Sequence, residues 1–267
     1  MTIVDDRYIV SDSLSEAWLE AVYALDRIKG KKAVHLIVRI SRPTAEVEAI
    51  REGAEWLIDV RNAKLAEDKE LPAIETTRNT IFPAVWARRH PDPADLSSYY
   101  RERYTREGLR AFGENERGTY FGRIVSYPRA GGEDNGDQLV DTIRKLRDEL
   151  APPSRNKPRG GSKKSSRYEI NIYSELCDTS PMGFPCLAHL SVHMHEGAVH
   201  VQAIYRNELL VARAYGNYLG LAELQAYIAE QCGLELGELT ITVGHVELEA
   251  TRAQVKELRK RVEATQT

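Results

Sequence analysis

The order of secondary structure is clearest in residues 185–237, PCLAHLSVHMHEGAVHVQAIYRNELLVARAYGNYLGLAELQAYIAEQCGLELG. Two predicted strands, LAHLSVHMH and AVHVQAIYR, flank Glu196-Gly197, which is typical of a two-residue hairpin turn. A helix is predicted from Leu219 to Cys232, ahead of Gly233, and a strand from Leu239 to Val243. A hairpin, a helix and a further strand indicate a mixed α/β domain.

Further helices and strands are predicted on both sides of this segment. Ser13 and Glu16 form a capping box at the start of a helix that ends at Gly30. Apolar residues at helical spacing predict helices over 44–60, 137–150 and 251–262, with short helices in 91–116. Strands are predicted over 33–40, within 118–127 after a turn, and from residue 168 in YEINIYSEL.

The composition is that of one soluble domain. Of 267 residues, 42% are hydrophobic, enough for a sizeable core, and we expect a single domain over 1–267. The net charge of −3 supplies no field that would attract nucleic acid or a membrane. No basic and apolar leader begins the chain, and no apolar stretch approaches the roughly 20 residues that span a bilayer. Because the three cysteines are too scattered for a disulfide framework, we expect a reduced, cytoplasmic protein.

Residues 151–166, APPSRNKPRGGSKKSS, differ from the rest of the chain in composition. They are rich in Pro, Gly, Ser and basic residues and have almost no apolar side chains. Such a segment has little to bury, so we expect a flexible basic loop. Its charge is compatible with contact to phosphate or RNA, but an exposed flexible loop is the simpler interpretation.

Cys186 and the nearby histidines each allow two interpretations. A cysteine that opens a buried strand is more often a core residue than a nucleophile. His193 and His195 share one side of the hairpin with His189 by alternation, and they are candidates for a shared metal. No companion cysteine or carboxylate cluster stands at ligand spacing, so histidines on a half-exposed sheet are the simpler interpretation and no metal site is predicted.

As one block, residues 185–237 resemble the central segment of the thymidylate synthase family, in the same order and without a gap. Pro185-Cys186 matches the family's nucleophile motif and Arg206 its phosphate-binding arginine. Asn217 matches the asparagine that contacts the pyrimidine ring. Three residue types in register make this a stronger signal than the cysteine alone.

The resemblance covers residues 118–248 and is weaker in the divergent N-terminal half, residues 1–117. YFGRIVSYP, DQLVDTIRKLRDE and SSRYEINIYSE are similar to successive segments of the family. Arg167 matches the second of its paired arginines, which reach into the phosphate site of the neighbouring subunit. The resemblance therefore implies a thymidylate synthase-like domain, with a large mixed sheet flanked by helices and a homodimer formed sheet to sheet.

The implied chemistry gives the matched residues their functions. In this family a thiolate adds to C6 of a pyrimidine nucleotide, which makes C5 nucleophilic toward a one-carbon unit carried by a folate. Cys186 would supply the thiolate, with its pKa lowered by nearby arginine. Arg206, Asn207 and Arg167 would bind phosphate, and Asn217 would favour a uracil-like edge. The implied activity is that of a methyltransferase or hydroxymethyltransferase in nucleotide metabolism, using 5,10-methylenetetrahydrofolate if the family chemistry is kept.

Departures from the family pattern affect particular steps of that reaction. Leu187 stands in place of a histidine after the nucleophile, and Leu209 in place of the aspartate that holds a water network. Glu247 and Glu249 fall on ribose-binding positions, where they would repel a nearby phosphate. Ser166 replaces the first paired arginine, the catalytic glutamate has no convincing counterpart, and the family's C-terminal closing segment would lie beyond Thr267.

These departures leave three hypotheses about function. One is an enzyme of altered chemistry that acts on C5 of a pyrimidine nucleotide through Cys186. The alternative is a catalytically inactive nucleotide-binding or regulatory homologue, and the third is a scaffold in which Cys186 is a core residue. Ordinary thymidylate synthesis is not expected, because without a general acid/base the proton transfers lose roughly 10²–10⁴ in rate.

Overall fold

The computed structural model describes residues 6–65, 70–106, 118–129, 135–153, 168–180 and 185–265. These residues form one mixed six-stranded sheet flanked by helices, which confirms the predicted α/β class. Arg167, Ser166 and the rest of the predicted basic loop from residue 154 onward lie outside the described residues.

Two parallel and three antiparallel pairings build the sheet. The strands are β1 (Tyr8–Ser13), β2 (Lys32–Arg42), β3 (Tyr168–Asn171), β4 (Leu187–His195), β5 (Ala198–Leu209) and β6 (Glu235–Glu247). Their order is β1-β2-β6-β5-β4-β3. β1 is parallel to β2 and β5 to β6, and the other neighbours are antiparallel. β4 and β5, which carry most of the candidate site, are therefore adjacent.

Helices flank the sheet, and the helix that follows β5 is buried along most of its length. The helices are α1 (Leu14–Arg27), α2 (Glu48–Asn62), α3 (Ile74–Ile81), α4 (Ala84–Arg89), α5 (Pro93–Arg106), α6 (Tyr120–Val125), α7 (Gln138–Leu150), α8 (Tyr215–Cys232) and α9 (Arg252–Thr265). A π-helical turn, Leu210–Ala214, leads from β5 into α8. At Gly220 of α8, a β-carbon would lie 2.7 Å from the carbonyl oxygen of Arg78 on α3. Only a glycine permits this close approach of the two helices.

Strong local signals in the sequence agree with the structure. The Ser13 hydroxyl accepts the Glu16 N–H at 3.2 Å, and the Glu16 carboxylate accepts the Ser13 N–H at 3.2 Å, so the capping box is confirmed. Glu196 and Gly197 have φ of 49° and 81° and join β4 to β5, as the hairpin prediction requires. Such signals succeed because they depend on neighbouring residues alone.

The prediction of a strand within residues 118–127 is wrong. Tyr120–Val125 form α6 instead, and the Thr119 hydroxyl caps it by accepting the Gly122 N–H at 3.0 Å. Phe121, Ile124 and Val125 are buried on this short helix. A short apolar run has a similar composition in a buried strand and in a buried helix, so the surrounding contacts decide between them.

Side-chain alternation divides the sheet into a covered and an open face. The covered face contributes Leu36, Val38 and Ile241 to the core beneath α1 and α8. Arg39 and Thr242 point to the other face, which is partly exposed in the single chain. None of the helices in the described parts of the chain is both long and apolar enough to cross a membrane.

Candidate functional site

The candidate site lies where β4 begins beside the end of β5. Cys186 immediately precedes β4, and its carbonyl oxygen accepts the Arg206 backbone N–H at 2.9 Å. Leu187 then pairs with Tyr205 across the two strands. The exposed Arg206 side chain donates from Nε to the Pro185 carbonyl oxygen at 3.3 Å. Strand pairing thus holds the candidate nucleophile beside the candidate phosphate-binding arginine.

Burial has the largest effect on the Cys186 thiol. The side chain is half-buried, and burial raises the pKa of the thiol above its ordinary value. The charges of Arg206 and Arg213 lower that pKa, while the Glu208 carboxylate raises it. The arginines thus lower the pKa as predicted, but burial outweighs them and the net direction is upward. Because the thiol is less ionised at neutral pH than a free cysteine, its use as a nucleophile requires a base.

Glu208 is a functional candidate that the sequence reasoning missed. It lies near the end of β5 and is only 2% exposed, which is rare for a residue with a carboxyl group. Asn217 Nδ2 donates to Oε1 at 3.1 Å, and the Tyr218 hydroxyl donates to Oε2 at 3.3 Å. Burial raises the pKa of Glu208 to about 7, with the nearby Glu249 acting in the same direction and the two hydrogen bonds opposing it. A buried carboxyl that titrates near neutral pH beside a cysteine is typical of a functional site.

Tyrosines surround Cys186 and Glu208. Tyr120, on α6, is hydrogen-bonded to the backbone of Leu187, and burial raises its pKa, with the charge of an ionised Cys186 adding to the increase. The Tyr205 ring is buried and its pKa is raised by burial and then by Glu208. Its hydroxyl has no hydrogen-bond partner among the described residues. These phenols stay protonated at neutral pH and place hydroxyl groups around Cys186 and Glu208, and these side chains together are called the Glu208 cluster.

The remaining predicted site residues lie in different surroundings. Asn217 is 4% exposed on α8 and joins the Glu208 cluster. The Asn207 side chain instead meets His245 on β6, with 2.8 Å between Oδ1 and Nδ1. Arg167, predicted to bind phosphate, is outside the described residues. The structure therefore pairs Cys186 with Arg206, and it bonds Asn217 to Glu208, whose charge acts on the Cys186 thiol.

The histidines of the hairpin have protein partners. His189 Nε2 lies 2.6 Å from Glu169 Oε2, and its Nδ1 lies 3.0 Å from Asn171. His193 Nε2 lies 2.9 Å from the Ser191 hydroxyl. Over the described ranges, no group of three or more histidine, cysteine, aspartate or glutamate residues is arranged to hold a metal ion.

Glu247 and Glu249, which fall on ribose-binding positions of the family pattern, both have partners within the protein. The Glu249 carboxylate accepts the N–H groups of Val211 and Ala212, at 2.8 and 3.1 Å, where the π-helical turn begins. It thereby satisfies amides at a helix start that would otherwise be free to bind an anion. Glu247 forms an ion pair with Lys32 at 2.9 Å.

A sequence signal for Glu208 exists, although it is weak. An acidic residue stands directly before the apolar run LLVA, at the end of a strand whose earlier residues alternate between buried and half-exposed positions. The family resemblance implies a catalytic carboxylate in the N-terminal half and gives no such function to position 208. Burial of Glu208 depends on α8 packing over β5, which spacing alone does not reveal.

Comparison with known proteins gives a partial match. No family model matches the chain. A curated protein from Methanothermobacter marburgensis, named "Putative thymidylate synthase", is 28% identical over 79 residues, or 30% of this chain. The matched segment is 35% of that protein, so the chain spans about a third of the length of the relative it matches. The match supports a distant thymidylate synthase-like resemblance in a mixed α/β protein.

Proposed function

We propose that this protein binds a pyrimidine nucleotide beside Cys186 and that the Cys186 thiolate adds to C6 of the base. The observation that carries the proposal is the pairing of β4 with β5, which holds Cys186 against Arg206 while Asn217 joins the same cluster through Glu208. A nucleophile, an anion-binding group and a base-reading amide are the three chemistries that such a substrate requires. The resemblance to thymidylate synthases supports the same assignment.

In the proposed site, three residues bind the phosphate and one contacts the base. Arg206 is exposed and its guanidinium is suited to the nucleotide phosphate. Asn217 has both a donor and an acceptor for the edge of the base. Asn207 can add a donor to the phosphate through its amide, although its Oδ1 is engaged by His245. Arg167 completes the phosphate site in this proposal if a second subunit supplies it.

The proposed reaction requires no one-carbon donor. Addition of the thiolate to C6 moves an electron pair to C5 and O4, and C5 then takes a proton. Loss of the original C5 hydrogen and departure of the thiolate restore the base, so the net result is hydrogen exchange at C5. The resemblance implies 5,10-methylenetetrahydrofolate as a donor for methyl or hydroxymethyl transfer. None of the described site residues identifies a folate site.

A catalytically inactive nucleotide-binding or regulatory protein is the second candidate. The specific observation in its favour is the raised pKa of the Cys186 thiol, which reduces the thiolate available at neutral pH. Leu187 is fully buried and offers no proton-transfer group beside the thiol. Nucleotide binding is common to both candidates, whereas exchange at C5 is specific to the first.

Replacing Arg206 by alanine should weaken nucleotide binding about 10- to 100-fold, because a hydrogen bond to a charged group contributes about 1.5–3 kcal/mol. Isothermal titration calorimetry with dUMP, dCMP, UMP and CMP measures the effect. Arg144→Ala is a matched control, since Arg144 is an exposed arginine on α7 that pairs with Asp141. Failure of the wild-type protein to bind any of the four nucleotides would contradict the proposed function.

We further propose that two copies associate through the open faces of their sheets. Ile204 on β5 is 39% exposed on that face, an unusual position for a large apolar side chain in the centre of a sheet. Light scattering at micromolar concentration should give twice the 30.2-kDa mass, and Ile204→Arg should give a monomer. Val85→Arg, at a similarly exposed position on α4, should leave the dimer intact. A wild-type monomer would refute the proposal and remove Arg167 from the site.

A further inference from the structure

The amide of Asn217 is held in place by Glu208. Both residues are almost completely buried, and Asn217 Nδ2 donates to Glu208 Oε1 at 3.1 Å. The Tyr218 hydroxyl donates to the other carboxylate oxygen at 3.3 Å, so both oxygens are engaged and rotation of the carboxylate is restricted. Above its pKa of about 7 the Glu208 carboxylate is ionised and acceptor-only, which requires the nitrogen end of the Asn217 amide to face it. The orientation of this amide is therefore a consequence of Glu208.

The orientation of an amide determines which pyrimidine edge it complements. Uracil presents the O4 acceptor beside the N3–H donor, whereas cytosine presents an amino donor at C4 beside the N3 acceptor. An amide offers its C=O and its second N–H side by side, so one orientation pairs with uracil and the reversed orientation pairs with cytosine. The mismatched base would leave buried polar groups unpaired, which costs about 1–3 kcal/mol for each group.

We infer that Glu208 is a specificity-determining positioning residue, which fixes the Asn217 amide in one orientation and so selects between uracil and cytosine nucleotides. The inference rests on the proposed function, because it requires Asn217 to meet the edge of the base. Glu208 itself is buried and acts through its hydrogen bond to Asn217. The same hydrogen bond thus connects a core carboxyl on β5 to a base-reading side chain on α8.

The substitution Glu208→Gln provides the direct test. The glutamine side chain has nearly the same shape as glutamate, but its amide can present either a donor or an acceptor, so both orientations of Asn217 become available. At about pH 8.5, where Glu208 is ionised, the wild-type protein should prefer one of dUMP and dCMP by at least about tenfold, and Glu208→Gln should reduce that ratio to within about threefold. Glu223→Gln is the matched control, since Glu223 is a partly buried glutamate of α8 whose partner is Arg78. It should keep the wild-type ratio.

A second variant covers the case in which Glu208→Gln does not fold. Tyr218→Phe keeps the carboxylate and removes only the hydroxyl that engages Oε2, and it should lower the selectivity ratio partially. The readout is a ratio of dissociation constants by calorimetry, which a general loss of stability would not shift toward unity. A wild-type protein that binds both nucleotides equally, or variants that keep the wild-type ratio, would overturn the inference alone. Absence of any nucleotide binding by the wild type would overturn the proposed function and the inference with it.

Discussion

Replacing Cys186 by alanine is expected to reduce tritium release from a 5-tritiated pyrimidine nucleotide to the uncatalysed rate. The hydrogen at C5 becomes exchangeable only while sulfur is bonded to C6, so removal of the thiol removes the pathway. A decrease on the order of 10³-fold or more is expected for loss of a nucleophile. The rate for the wild type should rise with pH, because burial raises the pKa of the thiol and only the thiolate adds to the base.

Two substrates and two variants make this measurement decisive. [5-³H]dUMP and [5-³H]dCMP are incubated with the wild-type protein, with Cys186→Ala and with Cys232→Ala. Cys232 is a suitable control, because it is also a half-buried cysteine whose pKa is raised by burial, to about 11, but it lies at the far end of α8. Equal release by Cys186→Ala and the wild type would exclude covalent chemistry at Cys186. Nucleotide binding without any release would favour the inactive homologue.

Glu208→Gln should change the dependence of stability on pH by about 3 kcal/mol. The pKa of Glu208 is raised by burial from 4.5 to about 7, so at intermediate pH the folded protein keeps a proton that the unfolded chain has lost. The stabilisation from this proton is fully present below pH 4.5 and is lost as pH rises through about 7. Glutamine does not titrate, so the variant should gain stability relative to the wild type over that range.

Urea unfolding at pH 5, 6, 7 and 8 measures the difference in free energy of unfolding between Glu208→Gln and the wild type. Contributions from other titrating groups largely cancel in this difference. Glu52→Gln, at an exposed position on α2, is the control for the type of substitution. A difference for Glu208→Gln that stays constant with pH would show that Glu208 is already ionised in the folded protein throughout this range. In that case Glu208 would not be a neutral-pH acid or base.

Most of the secondary structure was predictable where the signal is local. The capping box of α1, the Glu196-Gly197 turn and the amphipathic pattern of α7 each depend on residues a few positions apart. β1 was not predicted, because Tyr8–Ser13 is a short edge strand that is stabilised mainly by parallel pairing with β2. The helix α6 was predicted as a strand, because its short apolar run fits a buried strand as well as a buried helix.

The candidate site was predictable only in part. Cys186, Arg206 and Asn217 could be proposed from a resemblance in which three residue types stand in register. The signal for Glu208 is too weak to propose it from the sequence, since an acidic residue at the end of a strand is usually exposed. Its burial requires α8 to pack across β5 and to supply Asn217 and Tyr218 as hydrogen-bond donors.

The amino-acid sequence by itself determined the α/β class, the β4–β5 hairpin, the long helices and the identity of the candidate nucleophile. The class, the hairpin and the helices follow from residue type and short-range spacing, which fix backbone preferences before any distant contact forms, whereas the candidate nucleophile follows from the family resemblance. The tertiary structure alone decided the net direction of the Cys186 pKa and the near-neutral pKa of Glu208. It also decided that Glu249 caps a helix start. Such properties depend on desolvation and on partners distant in sequence, and both arise only when the sheet and α8 are packed together.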